Sequence, residues 1–417
     1  MARAGDPYRR LLARLEAART LGVSLGLERV QRALRQLGNP ELAFVSVQIA
    51  GTNGKGSAAA MTDAILRAAG LRTGLFTSPH LSRFTERIRI DGQEIDGDRL
   101  ALLDQAVVAT GVPLTYFEIS AVLAFAAMAE QHVDVGILET GLGGRLDATT
   151  AAAPVATAIT TVGLDHTDLL GSTLREIAGE KAGIARRGIP LYLGPLLPEA
   201  DQEVARVAAA VGAPVRRFGI HFAAPGTPMA LPGPHQRTNA ALAVALAEEA
   251  ARACRRVLPT AAVAAGLAHT TWPGRLEWVA PDVLLDCAHN ADGAVALAAA
   301  LPPARPRALV ISVVRGKDAA AITAALAPRF DLVVATSSRS ERALPPDELA
   351  RIIAASSTVP VEIAPEPGRA LARARAFLAS RGGGPVVVAG SIFLVGDLRA
   401  VLLGEPRDPV SGGDPMP

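Results

Sequence analysis

Two consecutive α/β domains, the first built on a doubly wound, mostly parallel sheet, are what this chain of 417 residues predicts. Three observations carry that expectation. Apolar runs of strand length alternate with helical patterns through the first 250 or so residues. A glycine-rich loop, Gly51-Thr-Asn-Gly-Lys-Gly-Ser57, joins the first such run to a helix. After a break at 271–276 a second alternation starts at Val283.

In order, residues 8 to 37 read as two helices split by Leu21–Gly26, with Leu11, Leu12, Leu15 and Val30, Leu34, Leu37 at helical spacing. Phe44–Ala50 is a buried strand, and Ala58–Ala69 a helix ended by Gly70. A strand at Thr73–Phe76 leads into the loop Thr77–Glu86, and Arg87–Ile90 alternates as a half-exposed strand does. Asp91-Gly92 turns the chain into a helix over Asp98–Thr110, followed by an apolar helix over Glu118–Gln131. Strands at Val133–Leu138, Val155–Thr160 and Ile189–Leu193 and a helix over Thr173–Ile184 continue the alternation. An Ala-rich helix runs to about Cys254, and another covers Thr260–Leu267. The second domain has strands at 283–287, 307–313, 331–335, 359–363 and 386–390, and is Rossmann-like. The expected boundaries are therefore 1–270, a linker at 271–276, a smaller domain at 277–405, and a disordered tail at 406–417 rich in proline and glycine.

Composition narrows the function. No apolar run reaches membrane-spanning length, and no signal-type segment opens the chain. Cys254 and Cys287 are too few for a disulfide framework or a zinc site. A cytoplasmic protein acting as a monomer, without membrane, is expected. A net charge of +2 without a basic run, and few aromatic residues, give no reason to expect nucleic acid. There are 39 arginines but three lysines, Lys55, Lys181 and Lys317. Where any cation suffices this chain uses arginine, so a lysine marks a need for a compact or reactive amine, or simple chance retention.

The glycine loop has the form of a phosphate cradle. Gly51, Gly54 and Gly56 let backbone N–H groups approach phosphate oxygens, the helix start adds unpaired N–H groups, Lys55 supplies a cation and Ser57 a hydroxyl for phosphate-bound Mg²⁺. Ile49 stands where the usual P-loop has glycine, and Ser57 is one residue late. An ordinary βα turn is the competing reading, and the flanking strand and helix favour phosphate. Glu139 ends a buried strand beside this loop, where an acid holds Mg²⁺ or caps the next loop. His166, after Asp165, sits at the same sheet edge and fits a metal or acid–base role as well as a solvated one. Lys181 either pairs with Glu176 or Glu180 or has a chemical role as a carbamate. Arg275 in the linker and Asp286 at a strand end either close on a nucleotide or are a surface cation and a helix cap.

These residues, with Thr77-Ser-Pro-His-Leu81, Thr115-Tyr-Phe-Glu118, Leu138–Ala148, Leu164-Asp-His-Thr167, Glu180-Lys-Ala-Gly183, Pro273-Gly-Arg275 and Asp286-Cys-Ala-His-Asn290, stand in the order seen in folylpolyglutamate synthase/dihydrofolate synthase. The chain resembles that family, within the Mur ligase superfamily, from about residue 20 to about residue 400. The resemblance implies ATP-dependent addition of L-glutamate to dihydropteroate or to the γ-carboxylate of folates, through an acyl phosphate. A monofunctional folylpolyglutamate synthase or another Mur-type amide ligase is the alternative. Peptidoglycan Mur ligases carry a further N-terminal domain, and only about 40 residues precede the first strand. A P-loop switch without ligase chemistry leaves the second domain unexplained.

Carried over by resemblance, Lys55, Lys181 and His166 are catalytic. Thr52, Asn53, Gly54, Lys55, Gly56, Ser57, Asn239, Arg275, Asp286 and His289 hold nucleotide. Ser57, Ser78, Glu139 and His166 hold Mg²⁺: Ser78 and Glu139 one ion, and His166 a second, which Lys181 helps to hold. Lys181 is carbamylated. Thr115, Tyr116, Phe117, Glu118, Leu146, Asp147 and Ala148 form the pterin-substrate loops. The segment before Asn239 varies within the family, so that assignment rests on Asn239-Ala240.

Overall fold

In the computed structural model, residues 6–19, 22, 26–303 and 305–409 are described. Their strands form two sheets. The first holds β1 (Val45–Ala50), β2 (Thr73–Phe76), β3 (Ile88–Ile90), β4 (Gln93–Glu94), β5 (Val135–Glu139), β6 (Pro154–Ile159), β7 (Leu191–Leu193) and β8 (Val215–Arg217), in the order β4-β3-β2-β5-β1-β6-β7-β8. All neighbours run parallel except β2–β3 and β3–β4.

Successive side chains of a strand face opposite sides, so one sheet needs two cores. Phe76 and Leu138 point into a cluster with the helices Pro7–Arg19, Glu28–Gln36, Gly97–Ala109 and Tyr116–Glu130. Val47, Ile49, Leu75 and Ile137 point the other way, onto Lys55–Ala68, Gln236–Ala253 and Thr260–His269. That double burial explains why these strands read as continuous apolar runs.

The second sheet holds β9 (Glu277–Ala280), β10 (Val283–Leu285), β11 (Ala308–Ile311), β12 (Leu332–Ala335), β13 (Val361–Ile363) and β14 (Val386–Ala389), in the order β13-β12-β11-β14-β10-β9. Only β9 is antiparallel. Leu284, Leu309 and Val333 face one helical layer, Leu285, Val310 and Val334 the other.

Several expectations change. The strands β4, β8 and β9 were not foreseen; each is an edge or next to one, and short edges carry too few residues for a period to show. The first phosphate-side helix starts at Lys55, three residues earlier than apolar spacing indicated, because its first turn is polar and faces a cleft. The stretch Thr115–Glu118 is not a loop but the start of a helix. The tail is ordered through residue 409: Asp408 accepts from Tyr8 Oη (2.9 Å) and from the Phe84 N–H (2.7 Å), and Arg83 donates to the Pro406 carbonyl. A composition count cannot see such a tertiary acceptor. The remainder of the expected disordered tail, and part of the Leu21–Gly26 break, lie outside the described residues.

Candidate active site

The cleft between the two sheets, about 310 Å³, opens at the carboxyl ends of β1, β5 and β6 and is closed from the other side by residues following β10. Ligands in doubly wound sheets bind at this edge. Register brings the parts together: Ile49 pairs with Glu139 and Ala50 with Ile159, so the loop leaving β1 lies between the exits of β5 and β6.

That loop is moulded by β6's exit. The Thr52 N–H donates to the Thr161 carbonyl (2.9 Å), the Asn53 N–H to Thr161 Oγ1 (2.9 Å), and Thr160 Oγ1 to the Asn53 carbonyl (2.6 Å). Gly54 has φ +88°, and a Cβ there would stand 2.6 Å from Asn239 Oδ1. Only glycine fits both demands. A Cβ on Gly56 would meet Trp272 Nε1 at 2.9 Å. Lys55 Nζ donates to the Gly51 carbonyl (3.0 Å) and lies 4.0 Å from Glu139 Oε1. Ser57 Oγ accepts from Gln236 Nε2 (3.3 Å), and Gln236 Oε1 accepts from Asn239 Nδ2 (2.9 Å). Gln236, which the sequence did not single out, thereby ties the phosphate loop to the helix carrying Asn239.

Glu139 is buried, with Oε2 accepting from the Ser78 N–H (3.1 Å). His166 takes a left-handed backbone (φ 52°) and its Nδ1 is buried with no partner among the described residues. Burial first, then the Lys317 charge, drives its ring pKa down to about 3, so it is neutral and free to donate a lone pair. Ser78, Glu139 and His166 all line the cleft and supply hard or borderline donors. Among the described residues no three His, Cys, Asp or Glu side chains converge as a metal cage. Mg²⁺ ions fit such incomplete sets, Ser78 with Glu139 for one and His166 for another, because each takes one or two protein ligands and completes its shell with phosphate oxygens and water.

Lys181 is 4% exposed and lines the same cleft. Neither acid expected beside it is its partner: Glu176 closes the capping box with Thr173, and Glu180 pairs with Arg145. Burial, then the charge of Lys55, lowers the Lys181 pKa to about 7, leaving an amine that is substantially neutral near pH 7.

The capping box Thr115/Glu118 starts the helix Tyr116–Glu130. Glu118 also accepts from Arg29 Nη2 (2.8 Å). Thr115, Phe117 and Glu118 line the cleft together with Leu146, Asp147 and Ala148. Tyr116 does not: it is buried below, under the Arg87 guanidinium (5.1 Å to its ring centroid) and against Phe84. A helix start points successive residues about 100° apart, so four consecutive residues cannot all face one cavity. Asp147 accepts from the N–H groups of Gly141 (2.8 Å), Leu142 (3.0 Å) and Thr149 (3.0 Å), so it shapes the glycine-rich wall.

From the second domain, Asp286 accepts from the N–H groups of Leu276 (3.0 Å) and Ala288 (2.9 Å). It thus pins the linker, and half-buried Arg275, against the cleft. His289 has its pKa lowered to about 4 by burial and by Lys317. The third lysine finds its place here: Lys317 forms a short ion pair with Asp165 across the domain boundary. Asp165 Oδ2 accepts from Asn290 Nδ2 (2.9 Å), and Asn290 and Asn53 exchange amide hydrogen bonds at 3.1 Å. Burial, the largest single influence, raises the Asp165 pKa, but the Lys317 charge, the facing His166 and His289 rings and the Lys317 hydrogen bond together hold the carboxyl well below the usual range. Lys317 and Asn290 could have been suspected only from lysine scarcity and the Asp286–Asn290 motif.

Of the residues singled out from sequence, all but Tyr116 line this one cleft. Residues 49–224 match the Mur ligase middle domain, and residues 274–392 the Mur ligase glutamate ligase domain. The dihydrofolate synthase/folylpolyglutamate synthase of Mycobacterium tuberculosis is 40% identical over 373 residues, covering 78% of this chain and 76% of that protein. The crystal structure of Mycobacterium tuberculosis folylpolyglutamate synthase complexed with ADP and AMPPCP superposes with a TM-score of 0.89 at 32% identity, over 96% of this chain and 99% of that one. A bifunctional folylpolyglutamate synthase/dihydrofolate synthase with Mn, AMPPNP and L-glutamate bound gives a TM-score of 0.83 at 32% identity, over 96% and 99%. With its paired sheets, its phosphate loop and these similarities, the chain belongs to the folylpolyglutamate synthase/dihydrofolate synthase family of Mur ligases.

Proposed function

We propose that this protein is an ATP-dependent ligase that joins L-glutamate to dihydropteroate and to the γ-carboxylate of folate glutamates. The observation that carries the reading is the convergence of the phosphate loop, Lys181 and Arg275 on one interdomain cleft. ATP lies with its phosphates on Gly51–Ser57 and its nucleoside toward Asn239, Arg275, Asp286 and His289. The pterin substrate lies along Thr115, Phe117, Glu118 and 146–148, presenting its carboxylate to the γ-phosphate.

A substrate carboxylate oxygen attacks the γ-phosphorus, the bond to the β–γ bridging oxygen breaks, and ADP leaves with an acyl phosphate formed. The glutamate amine then attacks the acyl carbon, phosphate departs, and the nitrogen loses a proton. Two anions must meet in the first step, so charge neutralisation and alignment dominate. Lys55 and Arg275 neutralise from two sides, and the rigid glycine loop aligns. Two Mg²⁺ ions, one on Ser78 and Glu139 with the Ser57 hydroxyl beside the phosphates and one on His166, would supply further neutralisation when bound. Lys181, with its pKa lowered to about 7 and so part neutral near pH 7, takes up CO₂ as a carbamate, an anion suited to that cationic corner beside Lys55.

The test is ADP release by purified protein with ATP, Mg²⁺ and L-glutamate, offering dihydropteroate and then tetrahydrofolate. Release with both supports the bifunctional reading, release with tetrahydrofolate alone a monofunctional polyglutamate synthase, and release with neither overturns the proposal.

A further inference from the structure

The second domain reaches the loop that carries Ser78 from behind. That loop, residues 77–86, places the Ser78 N–H on Glu139 at the cleft, and further along it the Phe84 ring lies in the core against Tyr116. Between them, Glu86 accepts from the N–H groups of Leu81 (2.7 Å), Ser82 (2.9 Å) and Arg83 (2.8 Å), so the turn moves as one unit. The last helix of the second domain, Ile392–Leu403, runs against this turn. Ser82 Oγ donates to the Gly396 carbonyl (3.2 Å), and a Cβ on Gly396 would stand 2.2 Å from the Leu81 carbonyl oxygen.

Gly404, with φ +66°, ends that helix and turns the chain out of it. The next residues are fixed to their own domain first. Glu405 pairs with Arg399, whose Nε also donates to Glu277 (3.0 Å), and Arg407 lies 3.6 Å from Asp397. Asp408 is thereby delivered to the first domain, where it grips the turn on both sides of Arg83. Its N–H donates to the Ser82 carbonyl (3.0 Å) and its Oδ2 accepts from the Phe84 N–H (2.7 Å), while Arg83 Nη1 donates back to the Pro406 carbonyl (3.3 Å). The same Oδ2 accepts from Tyr8 Oη (2.9 Å) on the first helix. Asp408 is buried, and burying a carboxylate is tolerated only where donors meet it, which a tail lying idle on a surface does not require. Pro406 and Pro409 flank it and leave fewer conformations to lose on docking.

We infer that residues 404–408 are a strap from the second domain, with Asp408 as a positioning residue that holds the turn 81–84 so that Ser78 stands beside Glu139 for Mg²⁺. Neither Asp408 nor Tyr8 lines the cleft, so the effect reaches the reaction only through the Ser78 loop. The inference rests on the ligase reading and adds to it a part of the second domain that the Ser78 corner needs.

Full-length Asp408→Ala tests it by two measurements. Hydrogen exchange without nucleotide or metal should rise about 10-fold in the N–H groups of 81–84, the loss of a hydrogen bond to a charged group, and stay unchanged in Tyr116–Glu130. In ADP release, the Mg²⁺ concentration for half-maximal rate should rise about 10-fold, with the dihydropteroate KM unchanged and the rate restored at saturating Mg²⁺. Asp408→Asn, which keeps an acceptor without the charge, should fall between. Tyr8→Phe, which removes only a hydroxyl, should shift both measurements in the same direction and is the deciding variant if Asp408→Ala does not fold. Unchanged exchange at 81–84, or a rate lowered equally at every Mg²⁺ concentration, overturns the strap. Absence of ADP release from the unsubstituted protein would instead overturn the ligase reading, and the exchange measurement would still decide whether the strap holds the turn.

Discussion

Lys55 and Lys181 show how the same side chain serves opposite ends. Lys55 is held by the Gly51 and Thr52 carbonyls at the first turn of its helix, where it faces the cleft without packing against the core. Lys55→Ala should therefore abolish ATP turnover and leave the melting temperature nearly unchanged; a folded variant with ordinary turnover would remove the phosphate assignment. Lys181 is buried, and its ammonium form is disfavoured down to about pH 7. An unfolded lysine keeps its proton to about pH 10.4. Between those values the unfolded chain binds more protons, so stability rises with pH across the window and levels off below about 7, where both states are protonated. Melting temperatures in CO₂-free buffer should show the wild type gaining on Lys181→Met from pH 7 to pH 9.5. Lys181→Arg keeps a permanent charge and forms no carbamate, so its ADP release should fall at least about 100-fold, the range of a lost transition-state contact of a few kcal/mol. Added short carboxylic acids should restore part of the activity of Lys181→Ala, and full activity of Lys181→Arg would rule the carbamate out.

The helix Tyr116–Glu130 illustrates what an element adds to its residues. Thr115 accepts from the Glu118 N–H (3.4 Å) while Glu118 accepts from the Thr115 N–H (2.7 Å), and Arg29 holds the same carboxylate. The cap fixes where Phe117 enters the cleft. Thr115→Ala should lower stability by about 1 kcal/mol in urea unfolding and raise the dihydropteroate KM while sparing that of ATP. An unchanged pterin KM would mean that the cap only holds the helix.

Across the whole molecule, Asp165 joins the domains. It receives Lys317 and Asn290 from the second domain, directly in front of the phosphate loop. Lys317→Met leaves a buried carboxylate without its cation, a loss of about 3 kcal/mol or more that domain opening relieves. The variant should show a larger radius of gyration in solution scattering and a raised nucleotide KM. The double variant Asp165→Asn/Lys317→Met should be no worse than Lys317→Met alone, since the stranded charge is gone. Additive losses would show that the pair does not hold the domains together.

Local chemistry made much of this protein legible in one dimension. Two-faced burial writes long apolar runs, so the central strands could be read directly, and the glycines of 51–56 announce a backbone that must bend and approach other atoms closely. The lining of the cleft was legible too, because Lys55, Glu139, Arg275 and Asp286 sit at element ends, where strand and helix patterns stop. What the sequence could not decide are relations between distant segments. Tyr116 lies in a motif of cleft residues yet turns into the core, because helical rotation and the Arg87 guanidinium claim it. Edge strands β8 and β9 are defined by the neighbours that hydrogen-bond to them rather than by any period of their own. The tail is ordered by Tyr8 and Phe84, hundreds of residues away. The neutral state of Lys181 and the pairing of Lys317 follow from burial and from charges brought close only by folding, and desolvation has no signature in a linear sequence.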